Sequence, residues 1–310
     1  MILSVSRRTD IPRFYSDWFL NRIRVGYALF RNPMNHSQVS RVSLDPAVVD
    51  CIVFWTKDAT PLLENLPELD TRGFRYCFQY TVTPYGEDVE PHLPSPQEIV
   101  ENFRQLSAAV GRERIRWRYD PILLSDAYTP TFHMRAFEEL CGRLSGYTDT
   151  VVISFIDLYA KIKRAGLYEA PTEIVETLGA SIGQTAKKHG LRVQTCCEKY
   201  DLSAYGIRPG ACLEKTFLEK TCGYVLELKA DKGQRQGCNC VQSIDIGAYN
   251  TCPGGCIYCY ATTKLQTAKE NYSRHDPQGE FLMGTLQKGD KLYDRKQQSC
   301  RADNAQLEWF

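Results

Sequence analysis

A chain of 310 residues with 43% hydrophobic content has enough apolar material for one large α/β domain, or for a barrel with an appendage, and needs no staples to hold a core. Its net charge is +1, so no global field draws it to nucleic acid or to a membrane, and any basic site has to be local. No apolar run approaches the ~20 residues of a membrane span, and Met1–Arg8 lacks the order of regions of a signal peptide, so the expected compartment is the cytoplasm.

Taken in order, the first two-thirds of the chain alternate short β-branched or aromatic runs with helical patterns. Ile2–Ser6, Cys51–Trp55, Arg75–Val82, Arg114–Tyr119, Thr150–Ile156 and Leu191–Cys196 read as strands. A helix is expected after Ser95-Pro96-Gln97-Glu98, where Ser95 caps, Pro96 suits the first turn and Glu98 completes a capping box. Ile99, Phe103, Leu106 and Val110 then form its apolar stripe and Gly111 stops it. A second helix is expected over Thr172–His189, with Ile174, Leu178, Ile182 and Ala186 on one face. Strand then helix, repeated, implies parallel strands joined by right-handed crossovers.

Such a repeat closes into a barrel or opens into a doubly wound sheet. The strand ends favour a partial (β/α)6, TIM-like barrel over residues 1–200, because barrel chemistry sits at the carboxyl ends of the strands. Those ends here are Arg7-Arg8-Thr9-Asp10, Thr56-Lys57-Asp58, Gln79-Tyr80-Thr81, Arg118-Tyr119-Asp120-Pro121, Ser154-Phe155-Ile156-Asp157 and Cys196-Cys197-Glu198. Taken singly, each is also an ordinary strand-to-helix turn, where Asp and Ser are common. Arg116 and Arg118 alternate with Trp117 and Tyr119, so both guanidinium groups share one face and need an anion there, from a neighbouring acid or from a ligand.

Beyond residue 200 glycines interrupt the helical pattern and cysteines concentrate, which marks 201–310 as a cysteine-rich, cluster-binding extension over the barrel mouth. After about Ala268 it reads as a polar tail, with Lys288–Lys291 and Asp294–Lys296 on solvated surface. Thirteen cysteines, with Cys-x-Cys and Cys-Cys pairs, point to metal ligation in a reducing compartment rather than to disulfides. Cys51, Cys77 and Cys141 lie in apolar surroundings and read as core. Cys222 and Cys300 have no obvious partners.

The densest stretch is Cys252-Pro-Gly-Gly-Cys256-Ile-Tyr-Cys259. Thiolates at that spacing, on a loop that two glycines let fold tightly, can hold three corners of a [4Fe-4S] cluster and leave its fourth iron without a protein ligand. A four-ligand zinc site that borrows Cys238 or Cys240 is the competing reading. Tyr258 places a ring beside the open iron, where an adenine could pack. Cys196, Cys212, Cys238 and Cys240 are four further thiols, enough for a fully ligated auxiliary [4Fe-4S] cluster; zinc, or Cys197 in place of Cys196, are the alternatives.

The Cys252-x3-Cys256-x-Tyr258-Cys259 pattern resembles the signature of radical S-adenosylmethionine (radical SAM) enzymes. The resemblance implies a [4Fe-4S] cluster whose open iron chelates S-adenosylmethionine, a reductase or flavodoxin-type electron donor, reductive cleavage to a 5′-deoxyadenosyl radical, and hydrogen abstraction from a small-molecule substrate. The superfamily's partial (β/α)6 barrel agrees with the six strands read above. In most of that superfamily the triad follows the first strand, whereas here it follows the sixth. In this the chain is similar to a family of unknown function whose members pair an N-terminal Ser-Arg-Arg-Thr-Asp-Ile-Pro and an internal Phe-Trp-Thr-Lys with a late cysteine triad. Ser6–Pro12, Phe54–Lys57, Arg118–Pro121 and Ser243–Gly247 carry that likeness.

Polar candidates for substrate or cofactor contacts are therefore Arg7, Arg8, Asp10, Lys57, Tyr80, Arg118, Asp120, Asp157 and Glu198. Five histidines, none paired with a cysteine or carboxylate at a telling spacing, give a Cys–His hydrolase little support. No phosphate-binding glycine loop follows a strand. A nucleic-acid role would have to rest on Arg7, Arg8, Arg114, Arg116 and Arg118 interleaved with aromatics, against a nearly neutral chain. A non-catalytic protein clamped by zinc or closed iron–sulfur sites is the alternative to an enzyme.

Overall fold

The computed structural model describes residues 1–158 and 166–302. In chain order these residues form β1 (Ile2–Val5), α1 (Ile11–Phe14), α2 (Ser16–Val25), β2 (Tyr27–Asn32), β3 (Asn35–Ser43), β4 (Cys51–Thr56), α3 (Thr60–Leu63), α4 (Leu66–Thr71), β5 (Tyr76–Thr81) and α5 (Pro96–Val110). They continue with β6 (Ile115–Ile122), α6 (Pro130–Leu144), β7 (Thr150–Phe155), α7 (Thr172–Lys188), β8 (Arg192–Cys196), β9 (Ile207–Gly210), α8 (Lys215–Cys222), β10 (Ile244–Asp245), α9 (Leu265–Ser273) and β11 (Lys291–Asp294).

Eight strands build one parallel sheet in the order β10-β1-β4-β5-β6-β7-β8-β9. The six expected strands are its middle, in sequence order. Two further strands come from beyond residue 200 and extend it at both edges. Among the described residues no ladder joins β9 to β10, so the sheet is open and not a closed barrel.

Period-two alternation decides what each face buries. Leu3, Val5, Ile52, Phe54, Tyr76, Phe78, Tyr80, Trp117, Tyr119, Val151, Ile153 and Val193 belong to the large core cluster shared with α5, α6 and α7. Trp117, for example, stacks on Phe137 of α6 at 5.3 Å between ring centroids. Each fully buried Leu or Phe there contributes about 1.5–3 kcal/mol of transfer free energy. The opposite face carries Ile2, Cys51, Val53, Cys77 and Val152, covered by α8 through Phe217, Leu218 and Cys222. Cys51, Cys77 and Cys141 are buried, and the Cys51 and Cys77 sulfurs are 4.0 Å apart.

Local chemistry explains the helices. Ser95 Oγ accepts from Glu98 N, and the Glu98 carboxylate in turn accepts from Ser95 N at 2.8 Å, so the capping box forms as read. In α7, Val175, Leu178, Ile182 and Ala186 face inward, with Ile174 at the margin. The tail after Ala268 is not a loose polar segment: β11 adds in parallel to β3 of the β2–β3 hairpin, and Arg31 holds Asp290. Its side chains stay exposed, because pairing uses the backbone and leaves the charges to water.

A candidate site lined by two cysteine groups

The carboxyl ends of β1, β4, β5 (through Thr81), β6, β7 and β8, together with the 231–260 segment, line one cavity of about 750 Å³. Arg7, Arg8, Asp10, Lys57, Arg118, Asp120 and Asp157 all reach it, as do Cys252, Cys256, Tyr258 and Cys259 and the group Cys196, Cys212, Cys238 and Cys240. Two of the expected site residues do not. Odd positions of β5 point inward, so Tyr80 points outward, packs on Phe103 and donates to Asn102 Oδ1 at 2.6 Å. Glu198 folds back on the backbone, accepting from Phe155 N and Lys199 N at 2.9 Å each.

The triad sits on a loop that its glycines make possible. Gly255 has φ +75°, a conformation side chains resist, and a Cβ there would crowd Pro91 at 3.1 Å and Leu265 at 3.3 Å. Burial pushes the Cys252 and Cys256 thiols up to about 12, and for Cys252 the Asp10 carboxylate adds to the effect. Thiolates here therefore need a cation beside them. Burial also raises Asp10 to about 6, although Lys57 N, Thr56 Oγ1 and Arg13 N all donate to it.

Lys57 Nζ meets Glu90 Oε1 at 2.8 Å and lies 5.7 Å over the Tyr258 ring. Tyr258 donates its hydroxyl to the same Glu90 oxygen. Sequence reasoning missed Glu90, which carries no local motif. It quoted the Ser243–Gly247 stretch without seeing what Asp245 does. That carboxylate accepts from Ser4 Oγ, Ser6 Oγ, Arg7 N and Gly247 N, and so pins the short β10 to β1.

Both arginines of β6 find anions inside the protein. Arg116 pairs with Glu214 and lies 4.1 Å over Phe217. Arg118 pairs with Asp120 and donates to Cys212 Sγ at 2.6 Å. Asp120 also accepts from Ser154, and Asp157 pairs with Arg235 at the cavity wall.

The second cysteine group converges from three segments. Cys196 ends β8, Cys212 follows β9, and Cys238 and Cys240 share one turn. The Cys196 and Cys212 sulfurs are 2.6 Å apart, and Cys240 is hydrogen-bonded to Cys196, Cys212 and Cys238. The bonds from Cys196 and Cys212 pull the Cys240 thiol down to about 6, and Cys240 in turn draws Cys238 down to about 7. Cys197, at φ 53°, contacts Cys238 and the Gln236 carbonyl instead. Among the described residues no three His, Cys, Asp or Glu side chains already stand as a metal site. Two sulfurs on one tetrahedral zinc are about 3.8 Å apart, so touching thiols must spread to admit a metal.

Fold and site together define an α/β protein with a parallel sheet whose strand ends, polar and cationic, face two groups of cysteines across one cavity. No helix among the described residues is long and apolar enough to cross a membrane. The chain belongs to the family described as "Domain of unknown function (DUF1848)", which it matches over residues 2–261. No curated protein matches it.

Proposed function

We propose that this chain is a radical S-adenosylmethionine enzyme acting on a small molecule, with Cys252, Cys256 and Cys259 as the ligands of its reactive [4Fe-4S] cluster. The observation that carries the reading is that three cysteines of one glycine-bearing loop line the same cavity as the polar strand ends. That six neighbouring strands send residues towards one cavity favours a partial (β/α)6 barrel as the description of the sheet's middle. The donor set fits in chemistry: three soft thiol ligands on one loop, two of which, Cys252 and Cys256, are buried where thiolate is favoured only beside positive charge.

When bound and reduced by a reductase or flavodoxin-type donor, the cluster would supply the electron that splits S-adenosylmethionine and so gives a radical able to take a hydrogen atom from substrate. The chain's own residues do the rest. Glu90 fixes Lys57 and Tyr258 together, which holds the Tyr258 ring at the cavity wall as a stacking surface. Asp10, held by the Lys57 amide and Thr56, sits beside Cys252 and ties the triad loop to the ends of β1 and β4. Arg118, anchored on Asp120, places a guanidinium beside the second thiol group.

We assign a second, auxiliary [4Fe-4S] cluster to Cys196, Cys212, Cys238 and Cys240, with Cys197 outside it. Contact between Cys196 and Cys212 supports that choice. Anaerobic reconstitution with iron and sulfide, followed by dithionite and S-adenosylmethionine, tests the proposal. Formation of 5′-deoxyadenosine is expected; none from a protein with an intact cluster defeats it. Stoichiometric zinc in place of iron would turn the sites into structural clamps.

A further inference from the structure

Among the described residues two cations of the cavity, Arg295 over the Phe30 ring and Arg7, have no acid partner, and of the two only Arg7 carries a buried nitrogen without a hydrogen bond. Its Nη2 is buried and has no hydrogen-bond partner, and among the described residues no ion pair includes it. Its cationic neighbours are engaged: Arg8 with Asp245 at 3.9 Å, Arg13 with Asp58 at 3.5 Å, Lys57 with Glu90 at 2.8 Å, Arg118 with Asp120 and Arg235 with Asp157. The acids that line the cavity are equally committed. Asp10 is taken by Thr56, Lys57 and Arg13 donors, and Asp231 by Gly233 N and Gln234. Asp245 takes Arg7's amide, not its guanidinium.

The guanidinium is nevertheless held in place. It lies 5.1 Å over the Trp55 ring, and Trp55 Nε1 donates to Ser4 Oγ at 3.0 Å, which in turn donates to Asp245. Arg118 approaches the same ring at 5.3 Å. A planar fork of donors, stacked on an aromatic face and leaving a buried N–H unmatched, is the arrangement that receives a planar or tetrahedral oxyanion. Burying that donor without an acceptor is costly unless a ligand supplies one.

We propose that Arg7 is the receptor for an oxyanion, carboxylate or phosphate, carried by the substrate of this cavity. The assignment rests on the cavity being a substrate site, as in the radical reading. Its test uses neither reductant nor turnover. Isothermal titration of inorganic phosphate, and separately of acetate, into the anaerobically purified, cluster-loaded protein should show saturable binding of one of them. Arg7→Gln should weaken that binding by at least about tenfold, the loss of one charge-assisted pair. Arg7→Lys, which keeps the charge without the fork, should lie between and carries the test if Arg7→Gln does not fold. Prior saturation with S-adenosylmethionine should leave the anion's affinity unchanged, because in the radical reading the open iron, and not Arg7, would take its carboxylate. Binding of neither anion to the wild type, equal binding to Arg7→Gln, or competition by S-adenosylmethionine would each overturn the assignment. A protein that binds the anion but forms no 5′-deoxyadenosine would sink the radical reading alone.

Discussion

Lys57 Nζ and Glu90 Oε1 form a buried ion pair at 2.8 Å, with the Glu90 side chain only 2% exposed and Lys57 14%. Glu90 is also the acceptor for Thr83 and Tyr258, so one carboxylate joins the end of β4 to the loop that carries the triad. Removing one member of such a pair leaves an uncompensated charge out of water, which costs about 3–5 kcal/mol. Glu90→Gln should therefore lower the unfolding free energy by that order, read from urea denaturation. Lys57→Met in the same background should return part of it. A Glu90→Gln protein as stable as the parent would show that water already reaches the pair.

The two cysteine groups should separate by metal analysis. Cys256→Ala should abolish 5′-deoxyadenosine and remove roughly four irons, one cluster's worth. Cys238→Ala should also remove roughly four while leaving a signal that responds to S-adenosylmethionine in electron paramagnetic resonance. Cys197→Ala should change neither, since its thiol contacts only one member of the second group and a carbonyl. Loss of iron in Cys197→Ala would put Cys197 in place of Cys196.

Two helical glycines should respond with opposite signs. At Gly183 in α7 a Cβ would overlap the backbone carbonyl of Tyr205, which has no side-chain freedom to yield. Gly183→Ala should cost about 1–3 kcal/mol through overpacking, more than the helix preference of Ala returns. At Gly142 in α6 the nearest atom is His189 Cε1 at 3.9 Å. Gly142→Ala should stabilise by about 0.5–1 kcal/mol. Matched thermal melts of the two variants check both signs.

His133 should make the protein acid-sensitive. It is fully buried, and burial drops its imidazole to about 4. Leu123 O can only accept, so Nε2 carries the proton, and Tyr119 then donates to Nδ1 at 2.7 Å. The unfolded chain takes up a proton near pH 6.5 while the folded one does not until about 4. Stability therefore falls as pH drops through that window, by about 3 kcal/mol in full. Subtracting the pH profile of His133→Gln from that of the parent should expose this slope; parallel profiles would refute it.

The strands were legible because each carries β-branched or aromatic residues on at least one face, and each expected run meets its observed strand within one to three residues. The capping box at Ser95 was legible because it is local. The β2–β3 hairpin was not: most of its residues are polar or partly exposed, and its buried side is split between Leu29 and Val39, packed on Phe281, and Ala28 and Val42, which join the main core. Nor was the pairing of β10 to β1, which spans two residues and depends on Asp245 from the far end of the chain. In the site, the triad could be read from spacing. The contacts of Cys196 with Cys212, or of Glu90 with Lys57, join distant segments that spacing does not relate. Tyr80 shows the opposite failure, since residue type suggested a rim position that strand parity denies.

The face of the sheet below the cavity is plugged by Phe217 and Leu218 of α8, sealed further by Arg116 on Glu214 and by Gln79 on the Cys212 carbonyl. The chamber thus has a solid floor, and its mouth lies at the top, beside the strand ends. In the proposed enzyme, loading and discharge would share that mouth. A spent molecule has to clear out before a fresh one settles, so turnover would be strictly sequential, and a bulky product lingering at the rim would act as its own stopper.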